Sequence, residues 1–192
     1  MNIVYATDDN GALGTGVSIV SLMENLPPGV HADIYIMTGG LSGDNTARFH
    51  SLQQGYNLHL HFIDMKDKYT DFPVGSKWSE ATYYRLGLAG ELPATVERAL
   101  YVDIDTIFNR DISPMYESEF GDCLIAGVFT TEDLSEESFS RWKREMNLDR
   151  SSIYINAGVI LYHIGRIREE CFESQVLSWA KNNIHRLSWQ DQ

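Results

Sequence analysis

The sequence predicts an α/β protein with a Rossmann-like, mainly parallel sheet covered by helices on both faces. Short apolar runs of strand length alternate with longer amphipathic segments of helical period along the chain. This alternation is typical of parallel strands joined by crossover helices. The chain has 192 residues, 43% of them hydrophobic, which is enough for one domain with a sizeable core.

The first strand and helix are marked by a change of period. Residues 3–6 form a short apolar run that predicts a buried strand. Residues 16–26 then repeat apolar side chains at helical spacing, and Pro27 and Pro28 stop that helix.

The second pair of elements has clearer end signals. Residues 32–37 predict a strand, and residues 42–55 predict a helix. Ser42 or Asp44 is the expected N-cap, because either side chain can accept a hydrogen bond from the first turn. Gly55 is the expected stop.

The third strand, residues 57–65, alternates strictly between apolar and polar side chains. Two interpretations of its histidines stay open. His59 and His61 could share one strand face as metal ligands, or they could be the half-exposed face opposite Leu58, Leu60 and Phe62, which the alternation favours.

The rest of the chain continues the same pattern of strands and helices. The predicted elements are a helix at 79–89, strands at 99–105, 123–129 and 158–164, a polar helix at 135–146 and a final helix from 166 to about 186.

Charge narrows the classes of partner. With 15 basic and 27 acidic residues the formal charge is −12, so the overall field repels phosphates. This argues against nucleic acid as a partner, and a nucleotide would have to be held by local cations.

Cys123 and Cys171 are in no ligand-like spacing and are expected to be buried thiols of a reducing compartment without a disulfide. No apolar run reaches the length of a membrane span, so a cytoplasmic protein is expected.

Residues 99–105, ALYVDID, set two carboxylates where a buried strand should end. Ligands of open α/β sheets bind beyond the carboxyl ends of the strands. Residues two apart on a strand share a side, so Asp103 and Asp105 could face one crevice and hold Mg²⁺ or Mn²⁺ between them. Aspartates also favour turns after strands, and the residues alone leave both interpretations open.

Five segments, in this order along the chain, resemble the family 8 retaining glycosyltransferases. That family includes bacterial lipopolysaccharide galactosyl- and glucosyltransferases and, more distantly, glycogenin. The segments are IVYATDDN at 3–10, TYYRL at 82–86, YVDIDTIF at 101–108, INAGVIL at 155–161 and WQDQ at 189–192. The resemblance implies a GT-A fold, a UDP-sugar donor, either UDP-galactose or UDP-glucose, and a Mn²⁺ or Mg²⁺ ion.

The resemblance also implies a role for each matching position around the donor. Asp8 accepts from the uracil imide, Arg85 reaches the diphosphate and the sugar, and the metal lies on Asp103 and Asp105. The complete implied donor-binding set is Ala6, Thr7, Asp8, Asn10, Arg85, Asp103, Ile104, Asp105, Asn156, Ala157 and Gly158. Taken singly, these segments have other interpretations: TDDN as a helix N-cap, Arg85 as a surface arginine and residues 156–158 as a turn.

Asp191 and Gln192 match the pair that lies near the anomeric carbon on the far side of the donor sugar. Retention leaves two routes open, a double displacement or a same-face attack. Gln192 is expected to stabilise oxocarbenium-like charge, because an amide is a poor nucleophile. Asp191 is the better covalent candidate or a hydrogen-bonding partner of the sugar hydroxyls.

The implied function is metal-dependent transfer of galactose or glucose to a saccharide or glycoconjugate acceptor. The alternative is a nucleotide-sugar-binding module with little or no turnover. Two departures from the family are a glycine at position 11, where some relatives have an aromatic residue, and an end at Gln192, before the family's late metal-binding histidine. Residues 1–192 are therefore expected to be one domain without its C-terminal part, through which peripheral membrane association could occur.

Overall fold

The computed structural model describes residues 1–72, 79–129, 143–144, 147, 149 and 155–183. Its strands form one sheet in the order β3-β2-β1-β4-β6-β5. The strands are β1 Asn2–Ala6, β2 Ala32–Thr38, β3 Leu58–Asp64, β4 Ala99–Val102, β5 Ile125–Phe129 and β6 Ile155–Tyr162. Among the strands of the described residues, β6 alone runs in the opposite direction to the rest, which confirms the predicted mainly parallel sheet.

Helices cover both faces of this sheet. They are α1 Ala12–Asn25, α2 Gly43–Gly55, α3 Ala81–Tyr84, α4 Leu88–Glu91, α5 Ser113–Tyr116, α6 Ile164–Glu169 and α7 Phe172–Asn183, with a 3₁₀ turn at Arg85–Gly87 between α3 and α4. Within the described ranges, none of these helices has the length and apolar composition needed to cross a bilayer.

The two cores follow from alternation along the central strands. On one face, odd positions of β1 and even positions of β2 and β4 pack with Ile19 and Leu22 of α1 and Phe49 of α2. On the other face, the alternate positions pack with α3, α4, α6 and α7. The fully buried strand residues include Ile3, Tyr5, Ile34, Ile36 and Leu100 on the first face and Val4, Met37, Ala99 and Tyr101 on the second.

Several predicted boundaries are confirmed and others are wrong. Ser42 is the N-cap of α2, accepting from Asn45 N at 3.3 Å, and the helix ends at Gly55 as predicted. The helix predicted at 79–89 is instead split by the 3₁₀ turn, whose Gly87 has low helix propensity. The predicted last helix is split at Cys171, which has a left-handed φ of +51°. The helix predicted at 135–146 falls mostly outside the described residues.

The predicted burial of the two cysteines is also wrong. Cys123 and Cys171 are both free, exposed thiols. Cys171 follows the end of α6 and Cys123 lies in the segment before β5, so both are outside the helices and strands that form the core. Spacing in the sequence carries no information about this, because the small apolar cysteine side chain is compatible with either environment.

The core packing predicts the stability of a matched pair of variants. Leu100→Ala opens a cavity beside a fully buried strand residue, and we expect the free energy of unfolding to fall by about 2–5 kcal/mol. Leu13→Ala makes the same change at a side chain that is 71% exposed, and we expect a change within about 0.5 kcal/mol. Urea unfolding followed by circular dichroism measures both, and similar losses in the two variants would contradict this description of the core.

Candidate functional site

The order of the strands places a crevice between β1 and β4. From β1 the chain proceeds outward to β2 and β3, whereas β4 is added on the other side of β1. Such a reversal leaves room for a ligand at the carboxyl ends of the two strands. Strand β1 ends at Ala6 and β4 at Val102, so the loops that follow them, residues 7–11 and 103–106, lie at this point.

A buried arginine connects three elements at the crevice. The Arg85 side chain, on the 3₁₀ turn, is only 7% exposed. Its Nη2 donates to Asp103 Oδ1 at 2.8 Å, and its Nη1 donates to the Ala157 carbonyl of β6 at 2.7 Å. The guanidinium carbon lies 4.4 Å from the centre of the Tyr101 ring, within reach of a cation–π interaction. The interpretation of Arg85 as a surface arginine is therefore wrong.

Asp103 is fixed by its own hydrogen bonds. Besides the bond from Arg85, Oδ1 accepts a hydrogen bond from the Tyr101 hydroxyl at 3.0 Å. The backbone N–H of Asp103 donates to Gly158 O at 2.7 Å, which extends the pairing of β4 with β6 by one residue. The carboxylate is thus held by side-chain and backbone contacts from two strands and the 3₁₀ turn.

The two aspartates are in a turn and not on a strand. Strand β4 ends at Val102, and Thr106 N donates to Asp103 O at 3.1 Å across the turn. The argument that residues two apart on a strand point to one side is wrong here for that reason. Asp103 is half-buried and Asp105 is exposed, so the turn gives the two carboxylates different environments.

The loop after β1 is tied to this turn and to α2. Asp8 Oδ1 accepts from Gly11 N at 2.9 Å within the loop, whereas the N-cap of α1 is Gly11 itself, so the alternative of an N-cap within TDDN is wrong. Asp9 Oδ1 accepts from Ser42 N at 2.7 Å and from Asn45 Nδ2 at 2.8 Å, and these hydrogen bonds lower the pKa of Asp9. The loop is therefore held in place before any ligand binds.

Ile104 brings the two loops into contact. A Cβ atom added at Gly11 would lie 2.7 Å from Ile104 Cδ1 and 2.6 Å from Thr7 Oγ1, closer than real Cβ atoms approach other atoms. Position 11, where some relatives carry an aromatic residue, therefore has no room for a side chain as the loop is arranged here. Ile104 instead fills that space.

The segment that begins β6 lies on the other side of Asp103. Asn156 Oδ1 accepts from Gly158 N at 2.7 Å, and Ala157 is buried beneath Arg85. A Cβ at Gly158 would lie 2.9 Å from Asp103 Oδ2, so glycine is needed for the carboxylate to lie against the strand. These residues belong to the strand, and the interpretation of 156–158 as a turn is wrong.

Two tyrosines at the site were not identified from the sequence. Tyr101 bonds Asp103, and the ring of Tyr84 extends to Gly39 at the end of β2, where a Cβ would lie 2.8 Å from its hydroxyl. Tyr101 could have been found, because it lies two residues before Asp103 along the chain. Tyr84 adjoins Arg85 in a segment of ambiguous secondary structure and has no such signal.

The structure thus gathers most of the predicted site. Asp8, Ile104, Asp103, Arg85 and the 156–158 segment form one connected set of contacts, and Ala6 and Thr7 are buried at the end of β1. Asn10 is exposed at the crevice loop. Asp191 and Gln192 lie outside the described residues.

Comparisons with known proteins identify relatives of the chain. The model of the family described as Glycosyl transferase family 8 matches residues 2–192. The lipopolysaccharide 1,2-glucosyltransferase of Escherichia coli K12 is 27% identical over 194 residues, covering 100% of this chain and 56% of that protein. The lipopolysaccharide 1,3-galactosyltransferase of Salmonella typhimurium LT2 is 27% identical over 199 residues, covering 100% of this chain and 57% of that protein.

A solved structure matches the whole chain as well. The galactosyltransferase LgtC, crystallised in complex with donor and acceptor sugar analogues, superimposes with a TM-score of 0.88 at 25% identity and covers 100% of this chain and 68% of that one. This likeness confirms the predicted GT-A fold. The chain spans about 56–57% of the length of the two lipopolysaccharide enzymes.

The environment of Tyr84 predicts a loss of stability at alkaline pH. Burial, together with the charges of Glu80, Asp8 and Asp64, raises the pKa of its phenol to about 12 from an ordinary value of 10.0. The folded chain therefore favours the neutral phenol. The resulting stability is fully present below pH 10 and is lost as pH rises through about 12.

We expect the free energy of unfolding to fall less steeply between pH 10 and pH 12 in Tyr84→Phe than in the unchanged chain. The difference in slope should reach at most about one proton released on unfolding. Urea unfolding at a series of pH values measures it, with the region below pH 10 as the internal control. Identical slopes would show that Tyr84 ionises equally in both states.

Proposed function

The chain belongs to glycosyl transferase family 8, and we propose that it is a metal-dependent retaining hexosyltransferase that uses a UDP-sugar donor. In this proposal galactose or glucose moves from the donor to a saccharide or glycoconjugate acceptor. The observation that carries the proposal is the fixed set of Arg85, Asp103 and residues 156–158 at the carboxyl ends of β4 and β1. This set places a guanidinium, a carboxylate and a segment of backbone without a side chain at Gly158 where open α/β folds bind their ligands.

The uracil end of the donor is assigned to the loop after β1. Asp8 uses one carboxylate oxygen to accept from Gly11 N, which orients the carboxylate without consuming its second oxygen. We assign that oxygen to the uracil imide N–H. Ala6 and Thr7 would form the floor of the pocket, and exposed Asn10 would add polar contacts at its rim.

The donor set beside it fits a hard divalent ion. Asp103 has Oδ1 occupied by Arg85 and Tyr101, and its Oδ2 lies beside Gly158. Asp105 adds an exposed carboxylate two residues later. Carboxylates and diphosphate oxygens are ligands that Mn²⁺ and Mg²⁺ accept. When bound, the ion would neutralise charge that develops on the leaving diphosphate.

Arg85 would act through Asp103 as well as on the donor. Its fork already joins Asp103 to the Ala157 carbonyl, so it holds the carboxylate in one orientation. Its positive charge balances the negative charge of Asp103, so the pair adds no net negative charge where the diphosphate would lie. Asn156, Ala157 and Gly158 would lie under the sugar, where the missing Cβ of Gly158 permits close contact.

The chemistry assigned to the sugar is a displacement at its anomeric carbon with retention. Asp191 and Gln192 are proposed to lie near that carbon from their match to the family alone. Asp191 would act as nucleophile or hydrogen-bond the sugar hydroxyls, and Gln192 would stabilise positive charge on the ring. A same-face attack, in which the leaving phosphate takes the acceptor's proton, is the competing route.

The acceptor is the least defined part of the proposal. The relatives named above are lipopolysaccharide enzymes, and we propose a lipopolysaccharide or related glycan assembled in the cytoplasm. A nucleotide-sugar-binding module without turnover is the alternative. Release of UDP from UDP-galactose and UDP-glucose by the chain, with and without a saccharide acceptor, distinguishes the two, because a binding module would release none.

The aspartate pair predicts the metal dependence of UDP binding. Asp105→Ala removes an exposed carboxylate, and Asp103→Asn keeps an acceptor for Arg85 while removing the charge. We expect each variant to lose the increase in UDP affinity that Mn²⁺ gives the unchanged chain, because a carboxylate ligand is gone. Calorimetric titration with UDP in Mn²⁺ and in EDTA measures this increase.

The control for that titration is Asp122→Ala, which removes an exposed aspartate away from the site and should bind UDP like the unchanged chain. Equal affinity of the unchanged chain in Mn²⁺ and in EDTA would reject the metal assignment.

Arg85→Lys tests the arginine fork while keeping the charge. Lysine is a compact point charge that cannot hold Asp103 and the Ala157 carbonyl in the same geometry. A lost hydrogen bond to a charged group is worth about 1.5–3 kcal/mol, so we expect UDP-sugar affinity to fall about tenfold or more and stability to fall as well. The matched control is Arg110→Lys at an exposed arginine. Unchanged donor affinity in the Arg85 variant would reject the assignment.

A further inference from the structure

A second group of ligand-type side chains lies at the opposite end of the sheet. Strands β2 and β3 pair in parallel with Asp33 beside His59 and Tyr35 beside His61. Paired residues of neighbouring strands project to the same side, so Asp33 and His59 are adjacent on one face. His31 immediately precedes β2. The predicted alternation of β3 is confirmed only at its start, where Leu58 is buried and His59 exposed; Leu60 and His61 are both half-buried, and Phe62 is exposed.

Three of these side chains converge on one point. His31, Asp33 and His59 each offer one ligand atom, and the three atoms lie within 4.8 Å of one another. His31 Nε2 is 3.7 Å from Asp33 Oδ1. Tetrahedral coordination with bonds of about 2.0–2.2 Å needs ligand atoms roughly 3.3 Å apart. Small rotations of the two exposed histidines would close the difference.

Neighbouring groups already hold His31 in a ligating form. His31 Nδ1 is 3.1 Å from Asn57 Oδ1, and Asn57 Nδ2 donates to the Val30 carbonyl at 3.1 Å. Because the amide nitrogen is used as that donor, the oxygen is the acceptor for a protonated Nδ1. Nε2 then carries the lone pair that binds a metal. A hydrogen bond from the second ring nitrogen to an oxygen is the usual support of a metal-binding histidine.

Asp33 has comparable support. His61 Nε2 lies 2.9 Å from Asp33 Oδ1, and the His61 ring is stacked on Tyr35 with centres 4.6 Å apart. The contact with His61 therefore orients the Asp33 carboxylate beside His31 and His59.

We propose that His31, Asp33 and His59 form a binding site for a divalent transition-metal ion of the Zn²⁺ class, with water completing the coordination. Two imidazoles and one carboxylate suit Zn²⁺, Ni²⁺ or Cu²⁺, whereas Mg²⁺ and Mn²⁺ prefer all-oxygen sites. The ion links the segment before β2 to the outer strand β3. Because the folded chain alone brings the ligands together, binding raises its stability.

This site is separate from the crevice of the proposed function and does not rest on it. Asp33 lies near the start of β2, and the crevice lies beyond the ends of the parallel strands. Thr38, at the end of β2, is five positions after Asp33, a distance of about 16 Å along a strand. The two sites also have different ligand sets, so Mn²⁺ can be used to test the crevice and Zn²⁺ to test the histidine site.

Calorimetric titration of the chain with ZnCl₂ near pH 7.5, and the unfolding temperature with and without Zn²⁺, test the proposal. We expect one ion per chain and a rise in unfolding temperature. His31→Gln and His59→Gln should each weaken binding by about tenfold or more, since each loses one of three ligands. His50→Gln, at an exposed histidine on α2, should bind as the unchanged chain does.

Two further measurements make the result decisive. The unfolding temperature in EDTA shows whether each variant is folded, and Asp33→Asn gives an independent loss of charge at the same point. The doubly changed Asp103→Asn, Asp105→Asn chain should retain Zn²⁺ binding. The proposed site would be overturned if the His31 and His59 variants bound Zn²⁺ as tightly as the unchanged chain does. Loss of Zn²⁺ binding in the double aspartate variant, or a stoichiometry of half an ion per chain in a dimer, would overturn it as well.

Discussion

The ion pair between the buried Arg85 and the half-buried Asp103 organises the crevice. A charge taken out of water stabilises a fold only when further hydrogen bonds and good geometry offset its desolvation. Here those contacts are the Ala157 carbonyl, the Tyr101 hydroxyl and the Tyr101 ring. The pair thus ties the 3₁₀ turn, the end of β4 and the start of β6 into one unit. The orientation of the Asp103 carboxylate depends on all three elements being folded.

The same pair limits the negative charge at the crevice of an acidic chain. The formal charge of the chain is −12, and at the crevice Arg85 balances Asp103. Gly158, which has no Cβ, leaves room for the Asp103 carboxylate against β6. The half-buried Asp103 and exposed Asp105 keep a pair of carboxylates at the same turn. The proposed donor site lies at this crevice, and the chain shares its family and its fold with known glycosyltransferases.

Prediction from sequence succeeded where local pattern and final environment coincide. Strands β1 to β3 and the N-cap Ser42 have unambiguous periods and end signals, and each lies close to its predicted place. It failed where tertiary contacts override local preference. The segment 79–89 has a helical pattern, yet it is interrupted at the turn that carries Arg85 into the crevice. The Asp-Ile-Asp segment follows an apolar run typical of a strand, yet a backbone hydrogen bond from Thr106 closes it as a turn.

The sequence by itself determined the alternation of strands and helices, the residue types of the site and the order of its motifs. Those depend on side-chain period and chemical identity, which are read along the chain. Only the tertiary structure decided that Arg85 is buried, that it donates hydrogen bonds to Asp103 and Ala157, and that Ile104 fills the space beside Gly11. It likewise brought His31, Asp33 and His59 together. Apart from His31 with Asp33, these contacts join residues 18 to 93 positions apart, and such contacts are set by strand order and register, which no local pattern encodes.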